Sequence, residues 1–288
     1  VSGFLLHLSG PMQAWGEHSA FNDRDTTAHP TRSGLIGMAA SALGIARKDA
    51  VTDPDDGSMT PFSRLTQLRF TVRHDRGGTR MRDFHTVGGG YPTHRTVPTA
   101  KGGRRGAGQG TIVSHRHYLA DAAFMVAVTS PADPQVAAEC AHALATPHWP
   151  LHLGRRSCPP GALFVLDDVT DPVAELLRVP LAREQAVHTG VERVRSGQSG
   201  DSTVTVRFTA DTPFPAGFPE AVSSRTSVTT LNDEPVRLTA RDRVHRSRPS
   251  YTTSCRLPGQ LCGGYGLDYL DAIRAYLRPS PSSERNDT

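Results

Sequence analysis

The chain has 288 residues, a formal net charge of +4 and 21% charged residues, which is enough for one large domain or two small ones with a real core. Its basic charge is almost all arginine, Lys48 and Lys101 being the only lysines; arginine suits bidentate phosphate contacts, although a GC-rich genome raises Arg, Ala, Gly and Pro together in the same way. Neither a secretory signal nor an apolar run able to span a membrane is expected, and Cys140, Cys158, Cys255 and Cys262 lie far apart without CxxC spacing, so a cytoplasmic protein with free thiols and no zinc site is expected.

In chain order, Phe4-Leu5-Leu6-His7-Leu8 reads as a short apolar strand that ends at a Gly10-Pro11 turn. Residues 17–30 are polar and loop-like. Ser33 is a good N-cap and starts a helix that places Leu35, Met38, Ala39, Ala42 and Leu43 on one face and stops at Gly44. After a Pro/Asp/Gly loop at 49–61, Leu65 to His74 alternates through Leu68, Phe70 and Val72 as a half-buried strand does. Residues 76–115 then hold Arg76, Arg80, Arg82, Arg95, Lys101, Arg104 and Arg105 against the single acid Asp83, with ten glycines and almost no core. They predict a long basic arm, hairpin-like and projecting from the sheet; the competing reading is a disordered surface loop.

Regular structure resumes at Tyr118. Ala123 to Val128 is an apolar strand, Asp133 caps a helix over 134–146, and short strands follow at 150–154 and at Leu163–Leu166. With the arm set aside the order is βαββαβ, an α+β, ferredoxin-like pattern shared with the RNA recognition motif, although such a superfold names no function by itself. Later strands at Thr203–Phe208 and Val236–Thr239 and a last helix over Leu267–Leu277 predict a small β-rich second domain. The expected division is 1–175 with the arm at about 76–115, then 176–277, then a disordered polar tail at 278–288.

Four clusters carry possible chemistry. Trp15, beside a strand end, either stacks a base or fills the core, and Gln13 either contacts a base edge or caps the turn. Thr31, Arg32 and Ser33 stand at the mouth of a helix, where side-chain charge and backbone N–H groups favour a phosphate; plain capping with Arg32 in an ion pair is the alternative. Arg82, Asp83, Phe84, His85 and Thr86, with His94 and Arg95 beyond them, lie opposite Ser114, His115, Arg116, His117 and Tyr118 if the arm is a hairpin. Several histidines there would suit a metal-independent ribonuclease, which needs a base for the 2′-OH and an acid for the leaving oxygen; they would equally bind phosphate and ribose without chemistry. Finally, Gly154-Arg155-Arg156-Ser157 at a strand end lets backbone and charge approach a phosphate, with Cys158 read as a small buried residue. No Walker loop, GxSxG, HExxH or carboxylate pattern for magnesium is present.

GPMQAWG at 10–16, PTRSGLIG at 30–37, RDFHTV at 82–87, HRHYLADAAF at 115–124 and LGRRSCPP at 153–160, in this order, resemble the CasD family. This is the fifth Cas family of the type I-E CRISPR Cascade complex, within the RAMP superfamily. The resemblance covers residues 4–166 and weakens beyond 180. It implies a ferredoxin-like domain with a projecting thumb, a noncatalytic role in antiviral defence, and no cofactor or metal. Its implied partners are the 5′ handle of the crRNA, the Cascade backbone subunit and large subunit, and target DNA near that end of the complex, with no membrane. A related type I-C family cleaves repeat RNA itself, so an endoribonuclease using His85, His115 or His117 is the alternative. Stretch 101–110 is longer than the usual thumb of the family. On this reading Arg32, Arg155 and Arg156 hold phosphates, Gln13, Trp15, His85 and Tyr118 meet bases or sugars, and Thr31, Ser33, Arg82, Thr86, Arg95, Arg116 and Ser157 complete the RNA-binding set.

Overall fold

The computed structural model describes residues 2–17, 22–52, 59–99, 101–161, 165–185, 202–219, 222, 226–239 and 242–278; the expected tail at 279–288 lies outside them. The chain runs β1 (Gly3–Ser9), β2 (Met12–Gln13), β3 (Asp23–Arg24), α1 (Arg32–Ala42), α2 (Pro61–Leu65) and β4 (Arg69–Arg76). A long hairpin follows, β5 (Thr79–Val87) and β6 (Ile112–Ala120), and then β7 (Ala123–Thr129), α3 (Pro134–Ala145), β8 (Val165–Val169) and α4 (Pro172–Glu175). The chain closes with β9 (Thr203–Ala210), β10 (Ser227–Leu238), β11 (Arg243–Pro258) and α5 (Gly266–Leu277).

One seven-stranded sheet organises these elements in the order β10–β11–β9–β4–β7–β1–β8, with every neighbouring pair antiparallel. Side chains alternate across a strand, and the central strands of the sheet are covered on both faces. Phe4, Leu6, Leu8, Phe70, Val72, Phe124 and Val126 join one core with α1 and α3. Leu5, Met125, Ala127, Val206 and Phe208 join a second core with Leu176, Val179, Leu181 and, from α5, Tyr269 and Ile273. This is why β1 and β7 read as continuous apolar runs rather than as alternating strands.

Several boundaries differ from expectation. Helix α1 opens at Arg32 with Thr31 as N-cap, not at Ser33, and Thr31 makes no side-chain capping bond. The cap comes from a distance: the backbone N–H of Arg32 donates to the Asp233 carboxylate at 2.7 Å. Leu65 belongs to the one-turn helix α2, because Thr60 caps Ser63 and Pro61 suits a first helical turn. Residues 150–154 form no strand. Of the expected strand Leu163–Leu166, 165–169 is observed and 162–164 lies outside the described residues. The division at 175 does not break the sheet, since β9 pairs directly with β4 from Thr71↔Ala210 to His74↔Arg207.

Two buried arginines fasten this sheet to its surroundings. Arg32, 2% exposed, pairs with Asp211 at 2.7 Å and Glu234 at 2.5 Å, and also donates to the carbonyls of Leu68 and Thr66. Arg248 joins the same cluster through Asp211 and Asp233. On the opposite face Arg73 and Asp75, both fully enclosed, pair at 2.6 Å. Arg73 also donates to the carbonyls of Leu176, Val179 and Pro180, while Asp75 accepts the N–H of Ala182. The first cluster binds α1 to β9 and β10; the second pins the 176–182 segment to β4. Breaking a buried pair by deleting one partner leaves uncompensated charge and typically costs about 3–5 kcal/mol. Arg32→Ala is therefore expected to lower unfolding free energy by about that amount, read as a shifted urea midpoint. A loss under about 1 kcal/mol, the value of an exposed pair, would show that the cluster is not what holds α1 to the C-terminal strands.

Candidate nucleic-acid interface

The arm is a hairpin. β6 is central in a small sheet, with β5 along one edge from Thr79↔Ala120 to Val87↔Ile112. Its other edge is met by β2 at Leu119 and Ala120 and by β3 at His115 and Arg116. The tip is folded rather than loose: the buried Thr96 donates its hydroxyl to the carbonyls of Thr93 and Arg105, and Arg104 donates to the carbonyl of Thr96 at 2.7 Å.

Register decides which side chains meet, because directly opposed residues share a face. Arg82↔His117, Phe84↔His115 and Thr86↔Val113 define one face, which also carries Arg80; Met81↔Tyr118, Asp83↔Arg116 and His85↔Ser114 define the other. On the first face Phe84 is 65% exposed, its ring 5.7 Å from that of His115, with the exposed Arg82 two residues away. Arg80 there is paired with Asp25, and His117 faces Asp23 and Asp25 at 3.7 and 3.5 Å. On the second face His85 pairs with Asp83 at 3.2 Å. His85 therefore stands on the opposite side of the hairpin from His115 and His117, which share the first face.

The turns expected to hold RNA instead build the socket from which the hairpin projects, which corrects the expectations for Gln13, Trp15, Thr31, Arg32 and Tyr118. Gln13 is fully buried; its amide donates to the carbonyls of Leu8 and Ala122 and accepts the Trp15 indole N–H at 2.9 Å. Trp15 is 1% exposed, and a side chain on Gly34 would come within 2.9 Å of its ring, so the first two motifs pack on each other. Thr31 and Arg32 are buried, the latter in the ion cluster described above. Ser33 is half-buried behind them. Tyr118 is buried, with the Arg155 guanidinium 4.8 Å over its ring and its hydroxyl 3.4 Å from that of Ser157.

Arg155 is likewise committed to the protein. It donates to the carbonyls of His117, Arg24 and Asp25 at 2.7, 2.8 and 3.2 Å, clamping β3 against β6. Gly154, at φ +92°, is required here: a Cβ would lie 1.7 Å from the Ala14 carbonyl oxygen. Burial raises the Cys158 thiol above its ordinary pKa, partly offset by the Ser157 hydroxyl, so this cysteine is a packed thiol. Of the predicted set, Arg82, Thr86, Arg95, Arg156 and Ser157 are exposed, and His85 and Arg116 are half-buried. Phe84 was missed. Its signal is parity: in β5 it falls on the same alternation as Arg80, Arg82 and Thr86, a polar face rather than a core one.

The loop that carries β3 rests on a pair of imidazoles. His29 and His74 meet edge to face at 5.5 Å, and His74 packs at 5.4 Å on Phe124. Desolvation lowers both pKa values, that of His74 well below the ordinary one, with His29 and Arg207 pushing it further down.

Residues 3–245 match the family described as CRISPR-associated protein (Cas_Cas5). The chain is 36% identical over 167 residues to the CRISPR system Cascade subunit CasD of Escherichia coli (strain K12), spanning 55% of this chain and 67% of that protein. A chain of a solved CRISPR RNA-guided surveillance complex superposes with a TM-score of 0.75 and 42% identity, covering 95% of this chain and 98% of that one. A Cas protein crystal structure at 24% identity and a TM-score of 0.52, covering 92% and 99%, shares the fold.

The histidine pair sets a pH dependence. Both groups have folded-state pKa values below their ordinary value, so the unfolded chain binds more protons in between. Their contribution is complete above about pH 6.5 and is lost as pH falls below it, towards the lowered folded values. Melting temperature is expected to fall between pH 7 and pH 5, and His74→Gln should flatten that fall. Identical pH profiles for the two proteins would refute the assignment.

Proposed function

The chain belongs to the CRISPR-associated Cas_Cas5 family, and from that premise we propose that it is a noncatalytic subunit of a type I-E CRISPR surveillance complex. In this reading it binds the 5′ handle of the crRNA, caps that end of the assembly, and meets a backbone subunit, the large subunit and target DNA close to it. The order β8–β1–β7–β4, with α1 and α3 on one face, supports reading its core as ferredoxin-like. The observation that carries the proposal is the first face of the hairpin, where an exposed aromatic ring and an exposed guanidinium stand two residues apart on one strand, about 6.8 Å by strand geometry. Single-stranded RNA is read by stacking its bases and holding its phosphates at such short intervals.

The phosphate contacts fall to Arg82, Arg95, Arg116 and Arg156 rather than to Arg32 and Arg155, whose donors are occupied. Phe84 supplies the stacking ring, and His85, Thr86 and Ser157 supply polar contacts. The placement of His85 away from His115 and His117 favours binding over cleavage.

Two outcomes test this. Phe84→Ala is expected to weaken binding of single-stranded repeat RNA about 5- to 150-fold, the value of one stacked base, with Phe84→Trp retaining it. Arg82→Gln with Arg156→Gln should instead lower the slope of log affinity against log salt by about 1.4, or 0.7 per phosphate. Unchanged affinity and slope in these variants would overturn the proposed face. Labelled repeat RNA incubated with the protein in EDTA should stay intact on a denaturing gel; discrete cleavage abolished by His85→Ala with His117→Ala would make the protein a nuclease.

A further inference from the structure

Outside the hairpin, a cleft of about 470 Å³ opens at its root, where β4 leads into β5 and β9 and β11 pass alongside. Arg76, Arg183, Arg207, Thr205 and Ser254 line it. Register explains the set: Ser254↔Arg207↔His74 form one row across three strands, and Thr205↔Arg256 the next. Arg207, Ser254, Thr205 and Arg256 therefore share a face, and no helix covers it: Arg207, Thr205 and Arg256 are exposed and Ser254 is half-buried.

Charge on this face is unbalanced. Asp75 lines the cleft but is consumed by Arg73 and the Ala182 N–H, and Arg76 is held by Asp121. Arg183 donates weakly to the Thr205 carbonyl at 3.3 Å. Among the described residues no carboxylate pairs with Arg207 or Arg256, and Glu184 is the one remaining acid lining the cleft. Arg207 and Arg256 sit diagonally on adjacent strands, about 7–8 Å apart by sheet geometry, a separation that neighbouring phosphates of an extended strand can bridge. Hydroxyls interleave them as donors to the same oxygens.

We propose that this cleft and the sheet face beside it form a second phosphodiester site, in which Arg207 in the cleft and Arg256 next to it, assisted by Thr205 and Ser254, hold the backbone of the single-stranded RNA as it passes the root of the arm. The inference rests on the RNA-binding reading above but uses none of its residues. Because both arginines are exposed and neither has an acidic partner among the described residues, replacing them does not disturb the core.

The test is Arg207→Gln with Arg256→Gln, titrated with a 20-nucleotide oligouridine and with oligodeoxythymidine of equal length across a salt series, beside the arm variant Arg82→Gln with Arg156→Gln. An unchanged melting temperature serves as the check on folding. The cleft variant is expected to lose about 1.4 from the salt slope for the RNA, and the loss should add to that of the arm variant. A cleft variant with the wild-type slope, beside an arm variant with a reduced one, overturns the second site alone. A reduced slope for the DNA only reassigns the cleft to DNA and overturns the proposal as stated. Wild-type protein that binds neither oligomer overturns the RNA-binding reading itself.

Discussion

Arg32 is the constraint on which the rest of the molecule depends. A guanidinium that is 2% exposed must find acceptors for its donors inside the protein. It finds four of them on three separate pieces of chain: the carbonyls at 66 and 68, Asp211 at the end of β9, and Glu234 on β10. Its own backbone N–H is taken by Asp233, which also holds Arg248. The helix mouth does hold an anion, as helix-terminus physics requires, but the anion is a carboxylate of the same chain. This binding of α1 to the C-terminal strands reinforces the β4–β9 pairing through which β9, β10 and β11 extend the first sheet.

The legible parts of the sequence were those with a single competing force. β1, β7 and α3 could be read because burial alone dictates their pattern, and the arm because seven cations and ten glycines leave too little apolar surface for a core of its own. The site was legible as a set of segments but not as roles. Gln13, Trp15 and Arg155 look the same in sequence whether they face RNA or brace a turn, since an amide, an indole and a guanidinium satisfy either kind of partner. Only the closing contacts, such as Gly34 against Trp15 and Gly154 against Ala14, distinguish them. β11 escaped notice because it encloses polar residues, Ser250 and Thr253 among them and Arg248 in the ion cluster, and Pro249 interrupts its pattern, so burial there leaves no apolar alternation to read.

The hairpin and its socket divide labour in a way the motifs conceal. Buried groups fix direction: Gln13 ties the first turn to Leu8 and Ala122, and Arg155 ties β3 to β6. Exposed groups, Arg82 and Phe84 above all, are then presented from a strand whose register with β6 is held over nine residue pairs. Positioning of this kind makes a binding face rigid before a ligand arrives, which lowers the ordering cost of binding.

The order of the sheet also sets the order of events at the ribosome. β4 lies between β7, which comes after the hairpin in the chain, and β9, which begins only at Thr203. Until that segment emerges, a nascent chain already holding β1, β4 and β7 presents one bare edge of β4 and an Arg32 whose carboxylate partners do not yet exist. An open edge of this kind is a template for wrong pairing. The late strands thus act as the molecule's own cover, and any chain that ends before them carries both an adhesive edge and a stranded charge.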